Sequence, residues 1–193
     1  MKKSKYSWVM LIEEDRCVGC FACMVACKAE NEVPDGVFRN WVVEFSKGKF
    51  PNLFVKFQPQ QCNHCDNAPC IRACPTGASF KREDGIVRID ERRCIGCKLC
   101  IAACPYDARY LNEEYGVVNK CTFCVQRLDY GIKHNELEKF LPACVETCLA
   151  GTRTFGNIND RNSEVFKKLN SNDYYVLKED QGTKPRVYYI RKK

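Results

Sequence analysis

The sequence predicts an α+β fold assembled from a repeated small unit, with one inserted β-hairpin and a C-terminal extension. Three observations carry this. Sixteen cysteines stand in 193 residues, and they fall into four groups of four. Short alternating stretches joined by Asp84-Gly85 or Tyr115-Gly116 lie between groups, as in tight hairpins. The unit also recurs: a cysteine loop, a short helical turn ending on the fourth cysteine, and a hairpin into the next loop.

The chain opens on a strand over residues 6–16, where Tyr6, Trp8, Met10 and Ile12 alternate with other residues before Asp15-Arg16. The first group follows as Cys17-Val-Gly-Cys20-Phe-Ala-Cys23-Met-Val-Ala-Cys27. Its spacing of three, three and four is that of the third group, Cys94-Ile-Gly-Cys97-Lys-Leu-Cys100-Ile-Ala-Ala-Cys104-Pro105. This is the iron–sulfur run of bacterial ferredoxins, in which the fourth cysteine ligates the other cluster. Three thiolates on so short a loop suit three corners of one Fe4S4 cube. Gly19 and Gly96 stand where a chain wrapping a cluster needs positive φ or close approach. A zinc ribbon wants two separated pairs closing one tetrahedron instead.

Residues 28–61 lack cysteine. Pro34-Asp35-Gly36 reads as a turn, and Trp41–Phe45, the turn Ser46-Lys-Gly48 and Leu53–Phe57 read as a hairpin inserted over about 33–60. Its simplest role is to shield a cluster from water, with docking as the alternative. The second group, Cys62-Asn-His-Cys65-Asp-Asn-Ala-Pro-Cys70-Ile-Arg-Ala-Cys74-Pro75, has two extra residues before its third cysteine. With four thiols at hand, His64 is read as structural or supporting and not as a ligand. Hairpins are expected over Ala78–Asp90 and Asp107–Val118. The fourth group splits into Cys121-Thr-Phe-Cys124 and Cys144-Val-Glu-Thr-Cys148, around a helix expected over His134–Leu141 and stopped by Pro142. His134 is expected to be exposed. Alone, this group also suits zinc; three iron–sulfur runs in the same chain favour a fourth cluster. Ser163–Leu169 is a candidate helix capped by Ser163, and Tyr174–Leu177 and Arg186–Ile190 read as strands.

Composition bounds the function. Lys2, Lys3 and Lys5 precede an apolar run, Trp8–Ile12, that ends at Glu13 and falls short of the roughly 7–15 residues of a signal core. No stretch approaches the ~20 apolar residues of a spanning helix, so no direct membrane span is expected. The formal charge of +7 counts thiols as neutral. An oxidised cube with four thiolates carries about −2, so four would bring the protein near neutrality, and no nucleic-acid partner is expected. There is no Gly-rich phosphate loop, hydrolytic triad or flavin fingerprint, hence no catalytic site of its own. Four sets of four use every thiol. Exchange of fourth cysteines requires the groups to pair, and spacing permits either the third with the second or the third with the fourth.

The residues around the cysteines settle on a resemblance. Cys27-Lys-Ala-Glu-Asn31, Cys62-Asn-His-Cys65, Cys74-Pro-Thr-Gly-Ala78, Cys104-Pro-Tyr-Asp-Ala-Arg-Tyr110, Lys120-Cys-Thr-Phe-Cys124, Pro142-Ala-Cys144-Val-Glu-Thr-Cys148 and Gly182-Thr-Lys-Pro185 resemble the four-cluster iron–sulfur subunits of molybdopterin-dependent respiratory oxidoreductases. The polysulfide reductase small subunit and the dimethyl-sulfoxide, tetrathionate and arsenate reductase relatives belong there. The resemblance implies two ferredoxin-like dicluster modules in one compact chain. Residues 1–60 with 121–155 would form the first, 61–120 the second, and 156–193 a C-terminal packing or docking tail. It implies four [4Fe–4S] clusters. Cluster one would be held by Cys17, Cys20, Cys23 and Cys148, and cluster two by Cys27, Cys121, Cys124 and Cys144. Cluster three would take Cys62, Cys65, Cys70 and Cys104, and cluster four Cys74, Cys94, Cys97 and Cys100. The implied function is one-electron relay between an integral membrane quinone-binding subunit, at cluster four, and a large molybdopterin catalytic subunit, at cluster one. Membrane association would then come through partners, on the extracytoplasmic face by co-export, with a cytoplasmic home the alternative. Two other readings stand beside it: a freestanding polyferredoxin serving a formate dehydrogenase or hydrogenase, and a zinc- or disulfide-stapled scaffold.

Overall fold

A computed structural model describes residues 4–191. Its centre is β1 (Trp8–Ile12), five apolar residues buried along their whole length, as suits a strand covered on both faces. β1 pairs antiparallel with β8 (Arg153–Asn157), from Trp8 opposite Asn157 to Ile12 opposite Arg153. On its other edge it pairs parallel with β10 (Val187–Ile190). The two-residue β9 (Tyr174–Tyr175) completes a sheet ordered β8-β1-β10-β9. The C-terminal extension therefore supplies an inner strand of the main sheet. Side chains alternate across it. Trp8, Met10 and Ile12 face a core that includes many of the cysteines, and Val9 and Leu11 face Val165 of α6 (Glu164–Ser171). The Ser163 hydroxyl caps α6 by accepting the Phe166 N–H at 3.2 Å.

The repeating unit is visible in the backbone. α1 (Ala22–Asn31), α2 (Pro69–Arg72), α3 (Leu99–Ala102) and α5 (Ala143–Glu146) carry the helical turns of the four groups. Three are single turns that stop before the fourth cysteine, and α1 runs a turn further. The hairpins β4 (Ser79–Lys81) with β5 (Val87–Ile89), and β6 (Tyr110–Asn112) with β7 (Val117–Asn119), follow the second and third groups.

Two segments differ from the sequence reading. The inserted hairpin is longer: β2 (Asn40–Lys49) and β3 (Asn52–Gln61) pair from Asn40 opposite Gln61 to Lys49 opposite Asn52. Its turn falls at Phe50-Pro51 and not at Ser46-Lys-Gly48, because Gly48 stays in the ladder opposite Leu53 and Pro51 has no N–H to give one. α4 (Val125–His134) starts directly after Cys124, and a 3-10 turn over Leu137–Lys139 follows it. Val125, Leu128 and Ile132 form its inward face at helical spacing, and Asn135 ends it in the left-handed conformation. His134 is thus the last residue of the helix and is exposed. Among the described residues no helix is long and apolar enough to cross a membrane.

The hairpin root bears on the first cysteine loop. Gly19 has φ +67°, and a Cβ there would collide with the Phe57 ring of β3. Gly36 has a similar φ of +76° with nothing within 4 Å. Gly19→Ala should therefore lower the midpoint of thermal bleaching of the iron–sulfur absorbance more than Gly36→Ala. Both variants carry the left-handed penalty of about 1–2 kcal/mol, and only the first must also displace Phe57.

Candidate metal centres

All four cysteine loops turn by one device. The second residue after each leading cysteine has positive φ: Gly19 (67°), His64 (44°), Gly96 (66°) and Phe123 (54°). This conformation folds the loop around its own thiols. Glycine meets the need at two places; at the other two the strain is held by packing. His64 and Phe123 pack ring on ring, with centroids 3.8 Å apart.

The loops close compact cavities. One is lined by Cys27, Cys121, Cys124 and Cys144. A second is lined by Cys62, Cys65, Cys70 and Cys104. A third is lined by Cys74, Cys94, Cys97 and Cys100. Three cavities, each with four thiols, suit one kind of occupant. Of the remaining four cysteines, Cys17 has Cys23 and Cys148 as its electrostatic neighbours, and Cys20 stands exposed on the same loop. Among the described residues no three His, Cys, Asp or Glu side chains converge on a single ion. A lone zinc requires such convergence, with every sulfur about 2.3 Å from it. Fe4S4 instead spreads its four thiolates over the corners of a cube. The donor sets fit that group.

Backbone amides aim at the sulfurs. The Ser79 N–H donates to Cys74 Sγ at 3.4 Å, Val118 to Cys94 at 3.4 Å, Phe123 to Cys121 at 3.4 Å and Thr152 to Cys148 at 3.3 Å. Their effect shows where burial is slight. Cys74, despite some desolvation, is drawn down to about 7 by the amides of Ser79, Thr76 and Ala78 and by the Thr76 hydroxyl. Deep in the core desolvation wins. Burial pushes Cys27 up to about 11, and Cys65 and Cys144 up to about 12. Such thiols keep their protons at neutral pH until a metal displaces them.

His64 is wholly buried, and its Nδ1 accepts the Val87 N–H at 3.0 Å. Burial, aided by the nearby Lys120 and Arg109 charges, pushes its pKa well below the ordinary histidine value, so it is neutral. It does not line the cavity of Cys62 and Cys65. Lys120, which its place beside Cys121 marks as a compensating charge, is buried, and so are two cations that sequence reasoning missed, Arg109 and Arg153. Their one sequence signal is position, five residues beyond a cysteine.

Comparison with known proteins decides the family. A model described as a 4Fe-4S dicluster domain matches residues 53–158, and a second with that description matches 16–78. The chain belongs to the 4Fe-4S dicluster family. It is an electron-transfer protein that carries four [4Fe–4S] clusters. A tetrathionate reductase subunit of Salmonella typhimurium is 44% identical over 190 residues, covering 96% of this chain and 73% of the relative. Protein NrfC of Escherichia coli is 42% identical over 183 residues, 94% of this chain and 79% of the relative. The thiosulfate reductase electron transfer subunit PhsB of Salmonella typhi is 41% identical over 184 residues, 94% of this chain and 91% of the relative.

After anaerobic reconstitution the protein should hold about sixteen irons with matching acid-labile sulfide, the content of four Fe4S4 cubes. Cluster retention should fall on acidification. The apo-protein binds a proton at each buried thiol and the loaded protein does not, so lower pH favours the apo form. Iron release followed by the loss of visible absorbance checks the sign.

Proposed function

We propose that this chain is the electron-transfer subunit of a respiratory oxidoreductase, relaying single electrons between a membrane quinone-binding subunit and a molybdopterin catalytic subunit. Cluster one would be held by Cys17, Cys20, Cys23 and Cys148, and cluster two by Cys27, Cys121, Cys124 and Cys144. Cluster three would take Cys62, Cys65, Cys70 and Cys104, and cluster four Cys74, Cys94, Cys97 and Cys100. The cavities lined by the last three sets support this reading. Residues 1–60 with 121–155 then make one dicluster module and 61–120 the other, with 156–193 completing the sheet. The chain itself holds and orients the clusters, excludes water from them and has no catalytic site.

The carrying observation is that two cysteines are exposed, Cys20 and Cys97, and in this assignment they belong to the first and last clusters. Each is the second cysteine of its run, and each is collared by exposed apolar side chains. Val18 and Phe21 flank Cys20, with Leu149, 91% exposed, next to Cys148 of the same set; Ile95 and Leu99 flank Cys97. An electron enters and leaves such a wire where burial is thinnest, and exposed apolar collars there suit protein partners. Two collars at the two ends of the chain of clusters favour a fixed place between two subunits over a freestanding polyferredoxin. The relatives named as reductase subunits agree with this. Membrane association would come through the partner at Cys97, on the extracytoplasmic face by co-export with the catalytic subunit.

Co-purification tests the partners directly. Leu149→Glu should weaken association with the catalytic partner at least about tenfold, or about 1.4 kcal/mol, with iron content unchanged. Ile95→Glu should leave that association intact and slow reduction by quinol. A stable iron-replete monomer with no partner in the native extract would favour the polyferredoxin.

A further inference from the structure

We infer that one buried cation separates each successive pair of clusters, Arg153 between the first and second, Lys120 between the second and third, and Arg109 between the third and fourth, and that each raises the potentials of the pair it separates. The inference rests on the ligand sets proposed above.

The three side chains belong to residues only 4%, 1% and 5% exposed, and none takes part in an ion pair among the described residues. Arg109 donates to Ser79 Oγ and Cys70 Sγ, both at 2.9 Å, and its Nε has no partner among the described residues. Arg153 donates to Gln61 Oε1 at 2.6 Å, Met10 Sδ at 3.5 Å and Cys23 Sγ at 3.9 Å. Lys120 donates to the carbonyls of Val87 and of Cys121, the latter at 2.8 Å. Among the described residues no carboxylate meets any of them. A desolvated cation without a counter-charge is strongly disfavoured, so an anion of another kind must stand beside each one. The thiolate sets are those anions.

The neighbours place each cation at a junction. Burial opposes the charge of Arg153, and Cys144 of the second set and Cys23 of the first sustain it. Burial likewise opposes Arg109, and Cys70 and Cys62 of the third set and Cys100 of the fourth sustain it. Burial opposes the charge of Lys120, as does the neighbouring Arg109, and Cys62 and Cys70 of the third set and Cys121 of the second sustain it. The arrangement repeats with the modules. Arg109 is the fifth residue after Cys104, and Arg153 the fifth after Cys148. Lys120 stands at the seam where the modules meet.

A positive charge held near a cluster favours its reduced state and so raises its potential. A charge shared by two neighbours has a second effect. Each hop oxidises one cluster by one electron and reduces the next by one. A cation between them attracts the electron in both positions, so it lowers the repulsion of two anionic groups while adding little bias in either direction.

The test is a redox titration followed by electron paramagnetic resonance on iron-replete Arg109→Gln, Arg153→Gln and Lys120→Gln proteins. Each substitution should move two clusters to lower potential. The pairs moved by Arg109→Gln and Arg153→Gln should share no member, and Lys120→Gln should move one cluster from each pair. Iron-replete variants with parental potentials, or a uniform shift of all four clusters, would overturn the inference. Should a glutamine variant lose iron, Arg109→Lys and Arg153→Lys keep the charge and change the hydrogen bonds. Parental potentials in these support the inference; a clear fall would assign the effect to the hydrogen bonds and overturn it. Fewer than four titrating clusters in the unsubstituted protein would overturn the ligand sets instead.

Discussion

The fold answers one demand, the enclosure of anionic iron–sulfur groups away from water. A buried charge of that kind is tolerable only when hydrogen bonds and counter-charges surround it. Here the answer is layered. Left-handed residues such as Gly96 and Phe123 wrap the loops around their thiols. Amides of Ser79, Val118 and Thr152 then reach the sulfurs from the adjoining hairpins and strand. Arg109, Lys120 and Arg153 lie behind them, with no carboxylate among the described residues to compete. The helices of the cysteine groups are mostly single turns because their task is to carry thiols to a cavity wall.

A chain of aromatic rings runs through the core. Trp8 of the central strand stacks on Phe155 at 5.4 Å, Phe155 meets Phe123 edge-on at 5.1 Å, and Phe123 covers His64. The rings link the main sheet to the loops of Cys121 and Cys62, so the sheet and the cavities support each other. His64 takes part through shape and through the Val87 amide, and its neutral state adds no charge there.

Much of this was legible in the sequence, for local reasons. Three thiols on one short loop leave no freedom in their spacing, so Cys17–Cys27 and Cys94–Cys104 announce themselves. Asp84-Gly85 marks its hairpin because the turn needs that backbone. What was hidden depends on distant residues. The start of α4 is marked by Cys124 in a left-handed conformation, with no serine or aspartate to signal a cap. The turn at Phe50-Pro51 is chosen by a ten-residue register that short strand patterns do not reveal. Arg109 and Arg153 escape notice because nothing near them in sequence shows that they are buried. The parallel partnership of β1 with β10 joins strands about 180 residues apart, beyond any local pattern.

That partnership orders events during synthesis. β1 is made before any of the cysteines, and the strand that covers one of its edges follows only after every cysteine has been made. Contacts of such long sequence separation form late. The nascent chain thus carries all sixteen thiols while its main sheet is still open at one edge. The arrival of Val187–Ile190 seals that edge.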